Sequence, residues 1–237
     1  MLERIATKKE QLINEGVIRK EKQYRPVTAD DVPFKIPTNW NWARIGGSSL
    51  VTEYGTSVKA HDIEQGVPVL KMGDIQNGKV FLGGQKKVPR DIDELSQLFL
   101  KRFDLLYNRT NSAELVGKTG IYLGDNTYTF ASYLIRIQFL TEMMNPLYAN
   151  LAMNAPYFRA TQIVPELQQQ CGQANVNGTK LKNMLLPVPP LAEQDRIVAK
   201  VDELLVLCDQ LEAQLTTAQN ESRHLLESVL HEALSVS

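Results

Sequence analysis

Cysteine is nearly missing from this chain: Cys171 and Cys208 are the only two. Two cysteines cannot build a disulfide framework, and Cys208 falls on an apolar helical seam, so a reducing compartment is expected. No apolar run approaches the ~20 residues needed to span a membrane. The N-terminus, MLERIATKKEQL, has no apolar signal-peptide core. A cytoplasmic protein without a membrane partner is the expectation. Histidine is scarce as well: His61, His224 and His231 have no neighbouring ligands at metal spacing, so no metal is expected. A net charge of −1 does not by itself point to nucleic acid. There is neither an internal repeat nor a low-complexity segment.

The charges are unevenly placed. Residues 1–24 carry six Lys/Arg against four acids, residues 25–190 seventeen against fourteen, and residues 191–237 three against nine. An acidic C-terminal segment is unsuited to lie along phosphates, so any DNA contact has to come from the mildly basic middle. The acidic segment is also the most regular. Pro190 suits a first helical position, and Glu193 and Asp195 suit the positive end of a helix dipole. Ile197, Val201, Leu204, Cys208, Leu211, Leu215, Ala218, Ser222, Leu225 and Val229 then follow at alternating steps of four and three. That spacing predicts a coiled-coil seam, weaker at Ala218 and Ser222, which must be covered by another helix.

Residues 1–15 read as a short amphipathic helix, with Leu2, Ile5 and Leu12 on one side, Lys9 in the slot between, and Gly16 as its stop. It is too short to stand alone, and the C-terminal helix is its expected docking place. Arg19, Lys20 and Lys22 read as a solvated linker. Three segments result: a helix and linker over 1–24, a domain over 31–190, and a spacer helix over 191–237. Within the domain, Val67–Met72, Val80–Leu82, Leu105–Tyr107, Gly120–Leu123 and Tyr128–Ile137 read as strands. Turns are marked by Gly73-Asp74, Asn77-Gly78, Gly83-Gly84 and Gly124-Asp125-Asn126. Ile92–Phe99 and Pro146–Arg159 have helical spacing, and the mixture indicates an α+β fold.

Two local patterns resemble catalytic motifs and fall short of them, and a third motif is absent. Asn154-Ala155-Pro156-Tyr157 is similar to the Asn-Pro-Pro-Tyr loop of amino-methyltransferases, but Ala155 breaks it and no glycine-rich turn follows a strand to hold S-adenosylmethionine. Gly117-Lys118-Thr119 would end a phosphate-binding loop only with a glycine where Ser112 stands. No lysine has an acid two residues before it, as a nuclease of the Asp/Glu-x-Lys type requires. No cofactor and no enzymatic activity are expected.

What remains is a binding surface. Tyr54, Thr56, Ser57 and Lys59 form one polar loop, in which Gly55 would permit close approach to a ligand. Arg109, Thr110 and Asn111 form another, with side chains able to pair with guanine and adenine edges. Lys71, Lys79, Lys86, Lys87 and Lys118 could contact phosphates, which position a protein without reading sequence. Taken alone, these residues also fit ordinary polar turns.

Two marks bracket the domain. Gln173-x-Asn175, then Leu181, then Pro187-x-Pro189-Pro190-Leu191-x-Glu193-Gln194-x-Arg196-Ile197-Val198 resembles the end of a target-recognition domain in the DNA-specificity (S) subunit of type I restriction-modification systems. Ile36-Pro37-x-x-Trp40-x-Trp42 followed by Ile45-Gly46 resembles its start. The usual member of that family has two such domains, and this chain resembles one half. The resemblance implies a non-catalytic subunit that reads one half of a bipartite target in double-stranded DNA. It also implies a methyltransferase (M) subunit that carries the chemistry and a restriction (R) subunit that joins for cleavage. The helix from residue 191 would span at most ~65 Å, enough to separate two recognition domains by a turn of DNA, ~34 Å. A homodimer through that helix is one way to cover the seam. A diverged amino-methyltransferase and a coiled-coil protein scaffold are the alternative readings.

Overall fold

The structure is a computed structural model and describes residues 2–16, 18, 24–170 and 173–235. The linker cations Arg19, Lys20 and Lys22, and Cys171, lie outside the described residues. Residues up to Asp195 form one compact unit, and Arg196–Ser237 form a second.

The first helix, α1 (Leu2–Asn14), ends at Gly16, whose φ of +71° is the left-handed conformation that glycine adopts without strain. Its Ile5 is fully buried. The helix packs on the short helix α2 (Ile45–Ser48), and Lys9 Nζ donates to the Gly46 carbonyl at 2.6 Å. The Tyr24 ring lies where a side chain on Gly46 would be, so glycine creates the flat spot that the N-terminal segment uses.

The two ends of the domain meet as strands. β1 (Asn41–Arg44) leads directly into α2, and it runs antiparallel to a strand far along the chain, Leu185–Val188, with Trp42 opposite Pro187. Arg44, at the end of β1, is buried yet fully occupied. It donates to the carbonyls of Arg25 and Asn183 and to Asp31 Oδ2, at 3.0, 2.9 and 2.9 Å. The backbone N–H of Thr28, with its hydroxyl and the nearby arginines, holds the Asp31 carboxyl below the usual carboxylate range.

After α2 come β2 (Ser49–Tyr54), β3 (Val67–Leu70), β4 (Ile75–Gln76), β5 (Lys79–Val80) and β6 (Lys87–Val88), then β7 (Leu105–Asn108), β8 (Thr110–Asn111), β9 (Thr119–Ile121), β10 (Thr129–Phe130) and β11 (Leu134–Phe139). The central sheet has the order β2-β11-β7-β9-β5-β4, antiparallel throughout except for β9 beside β5. A second sheet, β10-β3-β6, supplies Leu70 and Phe130 to a core shared with Leu106 and Leu134 of the first and with Tyr122, just past β9. The Asn77-Gly78 turn has φ +51° and +75°, the pair a two-residue hairpin between β4 and β5 requires.

Several expectations on element length are corrected. Tyr128–Ile137 is two strands, because the chain leaves one sheet and enters the other at Ala131–Tyr133. Ile92–Phe99 yields only a 3-10 turn, Leu95–Leu98, entered through Glu94 at φ +59°. Pro146–Arg159 is divided between α3 (Pro146–Asn154) and α4 (Pro156–Phe158), since Pro156 lacks the N–H to continue the first helix. β12 (Gln168–Gln170) and β13 (Gln173–Asn175) form a hairpin that pairs with β8. Then come α5 (Gly178–Asn183), capped by the Asn177 side chain on Lys180 N at 2.9 Å, and β14 (Leu185–Val188).

The last helix, α6, runs Leu191–Ser235. Its first turn is fastened to the domain through Gln194, which is fully buried. Gln194 Nε2 donates to Pro189 O at 2.9 Å, and its Oε1 accepts from Asn145 N at 2.7 Å. Asn145 in turn caps α3 and donates to Asp195 Oδ1 at 2.7 Å. Further along, Ile197 and Val201 are half-buried, and Leu204, Leu211, Leu215, Leu225 and Val229 are 48–67% exposed. Cys208, on the same seam, is a free and exposed thiol.

Candidate nucleic-acid interface

β2 and β7 end, and β11 begins, at one end of the central sheet. Tyr54 stands beside Ile135, and Asn108 beside Leu134. The strand ends therefore gather Tyr54, Arg109 and the Ser132-Tyr133 corner, although 79 residues of chain separate the outermost pair. The Arg109 guanidinium lies 4.9 Å from the Tyr54 ring centroid, a cation–π geometry. Its Nη1 and Nη2 reach Ser132 O and Asn175 Oδ1, both at the long distance of 3.4 Å. Its Nε is buried without a protein partner. The Tyr54 hydroxyl accepts a hydrogen bond from Gly178 N at 2.6 Å, and a side chain at Gly178 would press on the same ring. Thr110 and Asn111 lie alongside, paired in register with Asn175 and Ala174.

This end of the sheet offers two open aromatic surfaces, Tyr54 (44% exposed) and Tyr133 (43%). Between them are amide and guanidinium donors suited to base edges and phosphate oxygens. Tyr133 is absent from the sequence-based expectation because it sits inside an apolar run that reads as continuous strand. Only the crossing between sheets turns it outward.

The remaining expected contact residues divide. Ser57 and Lys59 are exposed beside Tyr54, and Lys118 is exposed at the same end of the sheet, its carbonyl accepting from Asn108 N at 2.9 Å. Thr56 is buried, bridged to Ala131, and its hydroxyl accepts from Val58 N at 3.1 Å, so it shapes the loop. Gly55 also has a different role from the one expected: a side chain there would collide with the Phe130 and Ala131 carbonyls, so the close approach is to β10. Lys79 lies beside Ile121, at the end of the sheet away from Tyr54. Lys71 follows β3, Lys86 precedes β6 and Lys87 opens it; the first two are exposed, and Lys87 Nζ donates to Glu64 O at 2.6 Å.

A groove of about 1680 Å³ lies among α1, the outward side of β2 and residues 92–101. One network on its wall, centred on Arg136, is engaged internally. Arg136 is buried, pairs with Glu53, approaches Asp104 at 3.6 Å, and donates to Phe99 O and Gln97 O at 2.7 and 2.8 Å. Burial pushes the Asp104 carboxyl above the usual range, against the pull of Lys101 N, Arg136 and Gln138. This network ties the 95–101 segment to the sheet.

The patterns that resemble catalytic motifs are integrated into the fold. Asn154 Oδ1 accepts from Thr119 N, and its Nδ2 donates to Thr119 O, both at 3.1 Å, so this amide extends β9 as a strand neighbour would. The Tyr157 ring packs edge-on against Phe34, and its buried hydroxyl is pushed up well above the ordinary phenol range by desolvation. Gly117 turns the chain into β9 at φ +91°, and the hydroxyl of buried Thr119 donates to Asn150 Oδ1. Among the described residues, no group of three His, Cys, Asp or Glu is placed to hold a metal ion. Among the same residues, no helix is long and apolar enough to cross a membrane.

Against known proteins, the family model for the type I restriction modification DNA specificity domain matches residues 38–218. The EcoAI specificity subunit of Escherichia coli is 27% identical over 99% of this chain and 40% of its own length. The EcoKI specificity subunit of E. coli K12 is 27% identical over 83% of this chain and 43% of its own. The chain thus spans about two fifths of the length of these curated relatives. Among solved structures, the HsdS subunit from Thermoanaerobacter tengcongensis superposes with a TM-score of 0.65 at 21% identity, over 84% of this chain and 50% of that one. A second, from a structure of type I R-M complex assembly, gives 0.58 at 16% identity, over 96% and 50%.

Proposed function

The chain belongs to the family of type I restriction modification DNA specificity domains, and from that membership we propose that it is the sequence-reading part of a type I restriction-modification complex. Residues 31–190 read one half of a bipartite duplex target. Residues 191–237 form the spacer helix that sets the distance to a second domain, and helix α1 (Leu2–Asn14) braces α2 of the domain. Base modification and cleavage belong to methyltransferase and restriction partners. The observation that carries this reading is the family match, which runs through the recognition domain and into the helix that leaves it.

The DNA contacts divide by chemistry. Tyr54, Arg109, Thr110, Asn111, Ser57, Lys59 and Lys118, with Tyr133 added, approach base edges and their flanking phosphates at one end of the sheet. Lys71, Lys79, Lys86 and Lys87 supply sequence-independent attraction to the backbone. Thr56 acts only through the shape of its loop. The exposed seam of α6 is covered by a second helix of the same kind, supplied by a second copy of this chain in a symmetric homodimer.

The test is co-expression with a type I methyltransferase subunit, followed by sequencing of modified bases across the host genome. A new bipartite adenine-methylation motif, present only when both proteins are expressed, is the expected result. Methylation by this chain alone would overturn the division of labour.

A further inference from the structure

Far from Tyr54, the segment between β5 and β6 carries a second exposed feature. Phe81 and Leu82 are 51% and 42% exposed, and Leu123 is 43% exposed. A Cδ of Leu82 lies where a side chain on Gly124 would be, which brings the tip close to the backbone that follows Leu123. The tip is not slack. Gly83 and Gly84 turn it at φ +112° and +76°. Phe81 N donates to Asp74 O at 2.8 Å, and Gln85 Nε2 donates to Phe81 O at 3.0 Å and to Asp74 Oδ1 at 3.1 Å. Gln85 Oε1 accepts from Gly83 N at 2.7 Å. Both backbone groups of Phe81 are therefore held while its ring faces solvent.

The rim is basic. Lys79 and Lys86 flank the tip in sequence and are exposed. Lys71 joins them through its backbone bond to Asp74 Oδ2 at 2.7 Å, and Arg102 through its guanidinium bond to Leu123 O at 2.6 Å. The acids at this place are Asp74, with both oxygens engaged, and Asp125, 3.5 Å from Arg102. Three lysines whose backbone lies at or beside a held aromatic and aliphatic tip, with Arg102 nearby, complement a polyanion that also has an apolar interior. A DNA duplex, with phosphates outside and stacked bases within, is such a partner.

We infer that Phe81 and Leu82 form an apolar wedge that enters the base stack, while Lys71, Lys79, Lys86 and Arg102 hold the flanking phosphates. The inference rests on the DNA-recognition reading and adds to it a contact that unstacks and bends the duplex. It favours pyrimidine–purine steps, which unstack most readily.

The experiment uses the full chain with a methyltransferase subunit and a pool of fluorescent 40-base-pair duplexes of randomised sequence. The photocrosslinker p-benzoylphenylalanine is placed at Phe81 or, as control, at Glu212 on α6. Crosslinking to DNA from Phe81 and not from Glu212 is expected. Wild-type protein should enrich TA and CA steps in the bound pool. The double variant Phe81→Ala, Leu82→Ala should lose that enrichment and bind about tenfold more weakly, while circular dichroism shows it still folded, since both side chains are about half exposed. Undiminished binding with no crosslink from Phe81 overturns the wedge and leaves DNA recognition standing. A crosslink from Phe81 to the methyltransferase subunit overturns it in favour of a protein interface. Loss of DNA binding by wild-type protein overturns the recognition reading itself.

Discussion

Gln194 accepts a hydrogen bond from the backbone N–H of Asn145 at 2.7 Å, across 49 residues of chain. That bond and the ones from Gln194 to Pro189 and Met143 fasten the first turn of α6 to the start of α3. The glutamine of the Pro-Pro-Leu-x-Glu-Gln mark is thus a clamp between the recognition domain and the helix that leaves it. Gln194→Ala leaves buried carbonyl and N–H groups unpaired and should cost about 1–3 kcal/mol. Urea unfolding of the domain measures it; a loss below a few tenths would mean that water replaces the amide without cost.

Arg109 is held between the Tyr54 ring and Asn175, at the edge of the proposed reading surface. Arg109→Ala should reduce discrimination between target and non-target DNA by about 1–3 kcal/mol. Competition binding with both duplexes decides the matter. Equal weakening on the two would reassign Arg109 to positioning Tyr54 and Asn175.

Lys86 is exposed, and we expect it to meet phosphate only. Lys86→Ala should weaken binding alike on all sequences and reduce the slope of log affinity against log salt by about one. A sequence-dependent loss would instead make it a base contact.

Leu211 is 56% exposed in the middle of the α6 seam. Leu211→Glu places a charge where a second helix would pack, and should dissociate the homodimer while the recognition domain stays folded. Light scattering and circular dichroism on the same sample give both readouts. A wild-type chain that is monomeric at tens of micromolar would exclude self-pairing.

Asp104 provides a pH signature. Burial raises its folded-state pKa above the ordinary 3.8, so the folded protein holds this proton more tightly than the unfolded chain does. The stabilisation linked to that proton is full below 3.8 and is lost as pH rises through the folded value. Asp104→Asn, which cannot ionise, should remove this decline. Stability of both proteins across the mildly acid range measures the difference, and parallel curves would show that the Arg136 and Gln138 contacts fully offset the burial.

Much of the architecture is legible from local chemistry. Asn77-Gly78 can turn a hairpin because both residues tolerate positive φ. Gly16 stops α1 for the same reason, and Leu105–Asn108 is apolar enough to read as a buried strand. The candidate site is half legible. Arg109 and Asn111 stand out as bidentate donors within a short polar run, and Lys59 and Lys118 as exposed cations. Tyr133 does not, since apart from Ser132 the residues around it are apolar and the run reads as one strand. Thr56 and Gly55 mislead in the opposite sense: their small size serves the packing of β10, which lies more than seventy residues away.

The sequence by itself determined the segments with their own period or punctuation: the acidic heptad helix, the short N-terminal helix and the glycine turns. It also carried the two family marks, because those depend on residue types at fixed spacing. Tertiary structure alone decided that the marks meet, with Trp42 across from Pro187, and that α1 docks on Gly46. It alone gathered Tyr54, Arg109, Ser132 and Asn175 at one end of the sheet. Those outcomes depend on which strands pair, and pairing between distant segments is governed by the burial of a shared core, which no local pattern records.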